Sequence, residues 1–336
     1  RGQRDRSQPA GGLVLVAARS PAAPVSAANG PWVRGHAIGG GSRRWRGGVV
    51  TSIPFVVLAT MSLAALLVPA LAGDHARDIG DVLATRLTPP FATDRLGHWH
   101  WLGTDAFGRD LLVRLWVGAR VSLFVGVAGS VLSGAAGIAL GAVAGWRGGV
   151  WDRVIIALGD ALLAVPRLVL LLVIAALWGP GLGVVIVVLG LTGWMSVMRL
   201  VRAEVQSVRL LPFVEGASAL GVPPRRVVWR HVLPNALGSA VVATTLGVGN
   251  AIVLESGLSF LGLGVQPPTA SWGNMISGGR DWLLVAPWIA LVPGLALIGT
   301  VVCATLLGER LGERHAAGRA RAATEPPTTP TVSRAA

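Results

Sequence analysis

Three stretches of this chain, residues 47–73, 121–146 and 282–308, contain no charged residue. A run of that length buried in lipid must pair every backbone N–H and C=O within itself, so it forms a helix. About 20 residues cover the ~30 Å hydrocarbon core. A fourth run, 237–264, carries Glu255 as its only charge. The chain therefore reads as an all-α membrane protein. Composition agrees: 52% of residues are hydrophobic and 13% charged, against about a quarter charged in soluble domains, which excludes a pair of soluble domains.

The stretch between Arg153 and Arg199 is harder to divide. Its charge-free part, 168–198, is interrupted by Gly179-Pro180-Gly181-Leu182-Gly183. Admitting Asp160 and Arg167 to the membrane region gives two spans, about 154–178 and 184–202, joined by a tight Gly/Pro turn. Arginine placement selects this division, because cytoplasmic loops carry the excess of basic residues. With six spans and a basic N-terminus inside, the loop 199–231 lies inside, with six Arg against two Glu, while 74–117 lies outside, with five Arg against six Asp. A single span over 154–202 would turn the arginine-rich loop outward. The reading is thus six transmembrane helices with both termini cytoplasmic. The segments are a disordered basic tail (1–46), a first transmembrane helix (47–73), an extracytoplasmic loop (74–117), a membrane core (118–314) containing a polar loop (203–236), and a disordered tail (315–336). Trp99 and Trp101 in the outer loop suit an interfacial aromatic belt.

Charge and cysteine narrow the function classes. The net charge of +13 is concentrated in the tails and inner loops, a membrane orientation signal rather than a nucleic-acid surface. All basic residues are arginine, so the chain lacks the lysine of a P-loop and cannot itself be an ATPase of that kind. Cys303 is the single cysteine, which leaves no disulfide framework and no cysteine metal cluster. The run after Arg46 is too long for a signal h-region and reads as an anchor.

The polar loop contains a bracketed short helix. Pro212 suits a first helical turn and Gly221 the position just past the end, with Phe213, Val214, Glu215, Ala217 and Leu220 between them. Pro223-Pro224 then opens a second helix through Arg225 to His231, leading toward the fifth span. Gly216, Ala217, Ser218 and Ala219 leave a low surface that another protein can approach closely. On composition alone, an interfacial helix that snorkels its arginines to anionic lipid is an equal reading.

The order Glu215-Gly216-Ala217, then Gly221, then Leu233-Pro234 resembles the "EAA" signature of permease subunits of bacterial ABC importers, with Gly216 in place of the usual second alanine and His231 where many families have an apolar residue. His100-Trp101-Leu102-Gly103-Thr104-Asp105 and Gly108-Arg109-Asp110 are similar to the segment before the second span in the dipeptide/oligopeptide/nickel group, the C-type subunit. So are Gly118-Ala119-Arg120-Val121-Ser122-Leu123 and the stretches Leu258 to Pro268 and Ser271 to Met275. The resemblance spans about residues 49–314. It implies a type I ABC importer permease whose coupling helix, Glu215 to Gly221 with Leu233 and Pro234 behind it, docks on ATPase subunits. It implies four partners: a second homologous permease, two cytoplasmic ATPases and an extracytoplasmic solute-binding protein. ATP and Mg would bind those ATPases, leaving this chain without a cofactor and not itself an enzyme. The expected setting is the bacterial plasma (inner) membrane. Expected cargo is peptides, or nickel and related small solutes.

Ionisable residues at depth are functional candidates by default. Asp160 and Glu255 are therefore candidates for a translocation path, although Asp160 and Arg167, two turns apart, also suit a structural pair. His98 and His100 form an H-x-H, but Asp94 and Asp105 do not complete a ligand set with them, so no metal is expected. The alternative class is an ATP-independent carrier or channel, which would carry repeated half-domains with broken helices. A membrane enzyme would need a catalytic constellation that the sequence lacks.

Overall fold

The computed structural model describes residues 53–72 and 82–324, with side chains described as far as Ala317. The tail expected at 1–46 lies outside the described residues. The chain forms α1 (Ile53–Ala72), α2 (Val82–Thr85), β1 (Ala92–Thr93), β2 (Trp99–His100), α3 (Leu111–Arg147), α4 (Gly149–Ala164), α5 (Arg167–Trp178), α6 (Leu182–Arg209), α7 (Pro212–Ala219), α8 (Pro224–Val227), α9 (Leu233–Phe260), α10 (Trp272–Gly279) and α11 (Trp288–Thr324). Five of these helices, α1, α3, α6, α9 with its α8 lead-in, and α11, are long and apolar enough to cross a bilayer.

The remaining span is broken. α4 and α5 together are apolar and long enough to cross, but they meet at 87°. Neither half covers the hydrocarbon core alone, at 16 and 12 residues. Pro166 causes the break: it pushes Val165 out of the helical region, to φ −92° and ψ 130°. The turn expected at Gly179 is present, with Gly179 at φ 84° ending α5. The span expected over 154–178 is therefore a bent pair, and the six expected spans correspond to five helices plus that pair.

The outer loop also ends earlier than position 117. Asp110 caps α3 by accepting the N–H groups of Leu112 (2.8 Å) and Val113 (3.2 Å). Arg114, within the first turn, reaches back to Asp105 at 3.4 Å, so its charge does not stop the helix. At the other end, α11 continues past position 314 to Thr324. The Ala/Arg-rich sequence there has good helix propensity, so the tail expected from 315 begins as helix, and its part beyond 324 lies outside the described residues.

α3 and α6 share the most extensive helix–helix contact among the described residues. Gly137, Gly141 and Gly145 of α3 face Val197, Val201 and Val205 of α6, and a Cβ added to any of the three would fall 2.7–2.8 Å from the facing valine's Cβ. Small residues at four-residue spacing let two helix backbones approach this closely. On the outer side, Trp272 (0% exposed) donates its indole N–H to the Leu115 carbonyl at 3.2 Å, fixing α10 against α3.

Candidate functional site

The polar loop folds as the bracketed residues require. Pro212 is in the first turn of α7. Gly221, at φ +77°, takes the left-handed position past its end. There the Gly221 N–H reaches the Ser218 carbonyl (3.0 Å) and the Val222 N–H reaches the Ala217 carbonyl (3.2 Å). That pair of bonds is the Schellman arrangement, and it returns the chain sharply toward α8.

Beneath α7 lies a cluster made almost entirely of valine. Val197, Val201, Val205 and Val208 of α6 meet Val214 of α7, Val227 of α8, Val232, and Ala236 and Ala240 of α9, with Ala217 and Val222 packed at the margin. Stiff β-branched side chains have few rotamers to lose on packing, so this cluster ties the loop to three helices as one body. Arg209 adds a clamp by donating to the Trp146 carbonyl at 2.9 Å, joining the inner ends of α6 and α3.

The opposite face of α7 is open. Phe213, Leu220 and Trp229 are 48%, 86% and 72% exposed. Glu215 and Gly216 are exposed, and Glu215 joins no ion pair among the described residues. Leu233 and Pro234 sit elsewhere. Leu233 is buried as the first residue of α9, and Pro234 follows it in the first turn. Pro234 has no N–H and its ring crowds the carbonyl four residues back. The backbone answers with a widened π turn at Val228–Val232, in which the Leu233 N–H bonds to the Val228 carbonyl. Asn235 Nδ2 donates to the His231 carbonyl at 2.6 Å.

The two candidates for a translocation path are placed differently from each other. Asp160 is about half exposed and pairs with Arg199 of α6, not with Arg167. Glu255 is 0% exposed. Its carboxyl group receives hydroxyls from Ser122 (3.0 Å), Ser256 (3.3 Å) and Ser259 (2.7 Å). Ser122 also accepts the Trp272 N–H (3.2 Å) and Ser259 the Val265 N–H (3.0 Å). Glu255 is thus the hub of a polar knot that binds α3, α9 and the 265–272 segment together. A carboxyl group sealed this way meets no solute in this conformation. Ser256 and Ser259 were visible beside it in sequence; Ser122, from another helix, was not.

In the outer segment, Asp94 accepts the N–H groups of Leu96 and His98, both at 2.9 Å. The His100 ring lies between Asp94 (3.3 Å) and Asp110 (2.7 Å). Burial pushes the Asp94 carboxyl up, but the bonds from His98, His100 and Leu96 outweigh it and hold the group below the usual carboxylate range. This cluster ties the β1–β2 hairpin to the start of α3. No group of three or more His, Cys, Asp or Glu suited to a metal occurs among the described residues.

Apolar helices around the α3–α6 pair, with a short helix displayed at one end of them, are the architecture of a multi-span membrane component. The chain belongs to the family described as "Binding-protein-dependent transport system inner membrane component", whose model matches residues 137–315. It is similar to the oligopeptide transport system permease protein OppC of Bacillus subtilis, at 36% identity over 209 residues, 62% of this chain and 67% of that one. It is also similar to the dipeptide transport system permease protein DppC of the same organism, at 39% over 213 residues, 63% and 67% of the two chains. A third relative is the glutathione transport system permease protein GsiD of Escherichia coli O6:K15:H31, at 38% over 212 residues, 63% and 70%.

Proposed function

We propose that this chain is the C-type permease of a type I importer that moves peptides across the plasma membrane, and that α7 is its coupling helix. The observation that carries this reading is α7 itself: opened by Pro212, closed by the Gly221 turn, seated on the valine cluster, and offering Phe213, Glu215 and Leu220 outward. A helix that transmits force must move as one body with the spans behind it, and the shared valines supply that rigidity. The relatives' names, oligopeptide, dipeptide and glutathione systems, support peptide cargo. On this reading a second permease, two ATPases and a solute-binding protein complete the assembly, with ATP and Mg on the ATPases and both termini in the cytoplasm. Nucleotide-bound ATPases favour one arrangement of the permease and shift its population, which rocks the spans.

The test uses two variants. Gly221→Val forces a β-branched residue into a left-handed backbone, at about 1 kcal/mol or more, and unseats the cap. Glu215→Ala removes the exposed charge without touching the anchor. Both should lower co-purification with the ATPases and uncouple ATP hydrolysis from peptide uptake in proteoliposomes. Wild-type coupling in both variants would mean that the loop faces lipid and is no docking surface.

A further inference from the structure

A polar cavity of about 100 Å³ lies within the helix bundle, lined by Ser130, Ser133, Arg167, Ser196, Thr244 and Asn250 among others. These residues fall near the mid-length of α3, α6 and α9 and at the break between α4 and α5. The cavity therefore sits at the depth where a charge is most costly. Arg167 is the first residue of α5. Its Nε donates to Thr192 Oγ1 at 3.3 Å, and a Cβ on Gly193 would come within 3.1 Å of its Nη2. The guanidinium is thereby held across the face of α6, against the cavity.

Among the described residues this cation has no carboxylate partner. The acids of the bent pair are already taken, Asp152 by Arg202 and Asp160 by Arg199. No ion pair joins Arg167 to a carboxylate among the described residues. A cation in the first turn of a helix also opposes the helix dipole. The site is thus electrostatically incomplete. The Ser130 and Thr244 hydroxyls already donate to the Thr244 and Ala240 carbonyls, which leaves Ser133, Ser196 and the Asn250 amide as the further polar groups beside the guanidinium fork. That fork matches a carboxylate in two-point geometry.

We propose that Arg167 and the hydroxyl-lined cavity form an anion site for a carboxylate of the solute in transit, the C-terminal carboxylate if the cargo is a peptide. The peptide part rests on the function proposed above. One water takes about 30 Å³ of liquid, so the cavity accepts a carboxylate and its neighbouring carbon rather than a whole peptide. It grips one end of the cargo.

The complete transporter, carrying Cys303→Ser and Ser196→Cys, tests this. Ser196 is exposed and lines the cavity. In proteoliposomes the thiol is treated with an anionic (sulfonatoethyl) or a cationic (trimethylammonioethyl) methanethiosulfonate. Relative to a free thiol in solution, the anionic reagent should react at least about tenfold faster, ~1.4 kcal/mol. Arg167→Gln should abolish that preference and Arg167→Lys retain it, with ATPase co-purification verifying assembly of each. A peptide with a free C-terminus should slow the anionic reaction, and its C-terminal amide should not. Equal rates, a preference that survives Arg167→Gln, or no reaction with either reagent would overturn the proposal. The thiol rates need no cargo, so charge selectivity without protection by any peptide would support the anion site and count against the peptide reading alone.

Discussion

Gly141→Ala probes the contact on which the bundle turns. The added Cβ would lie 2.7 Å from the Met198 carbonyl oxygen and 2.8 Å from Val201 Cβ. Ordinary carbon contacts are about 3.5–4.0 Å, so the helices must part by roughly 0.7–1 Å. Gly137 and Gly145, which flank it on the same row, cannot follow that shift without loosening their own contacts with Val197 and Val205. A gap of 0.5–1 Å forfeits about a quarter to a half of each contact, and overpacking of this kind costs about 1–3 kcal/mol. Alanine returns about 0.5–1 kcal/mol through backbone entropy, leaving a net loss of about 1 kcal/mol at the middle of the two ranges. The control is Gly216→Ala, the same chemical change in α7, where an added Cβ meets nothing within 4 Å. It should be neutral or stabilising by up to about 1 kcal/mol. Thermal unfolding of the purified permease, without the ATPases, is the assay: Gly141→Ala should lower the midpoint by a few degrees and Gly216→Ala should not. An unchanged midpoint in Gly141→Ala would refute the close α3–α6 approach.

Three further outcomes follow from the site geometry. Glu255→Leu should destabilise by about 1–3 kcal/mol, the cost of leaving buried hydroxyls without their acceptor, and Glu255→Gln by less because one acceptor oxygen remains; equal thermal midpoints for the two would argue against the polar knot. Asp94 titrates lower folded than unfolded, so its contribution is complete above the unfolded value of about 3.9 and is lost as pH falls through the lower folded value. Hydrogen-exchange protection of the 92–110 amides, corrected for intrinsic rates, should fall only below about pH 4, and Asp94→Asn should flatten that dependence. In a Cys303→Ser background, Thr93→Cys should react with an impermeant thiol reagent from outside the cell and Ser207→Cys should not; the reverse pattern would invert the topology.

Much of α7 was legible because its signals are local. Pro212 at the start and Gly221 past the end act through their own backbone preferences, and the structure places both as those preferences require. The same locality explains the miss at Pro166. Its effect on Val165 is also local, but the mostly apolar run 154–178 around it reads as one span when hydropathy is weighed above a single proline. Leu233 and Pro234 were legible as a motif and not as the end of a π turn, since that turn depends on how α8 runs into α9.

The sequence alone determined that the chain crosses the membrane, how its polar loop is bracketed, and where its arginines concentrate. Those properties follow from the cost of exposing backbone and charge to lipid, which each segment meets by itself. Only the tertiary structure decided that Asp160 pairs with Arg199, that Glu255 is enclosed by hydroxyls from separate segments, and that Arg167 is left facing a polar cavity. Such pairings join residues far apart in the chain, and helix packing, not spacing along the sequence, brings one charge within reach of another.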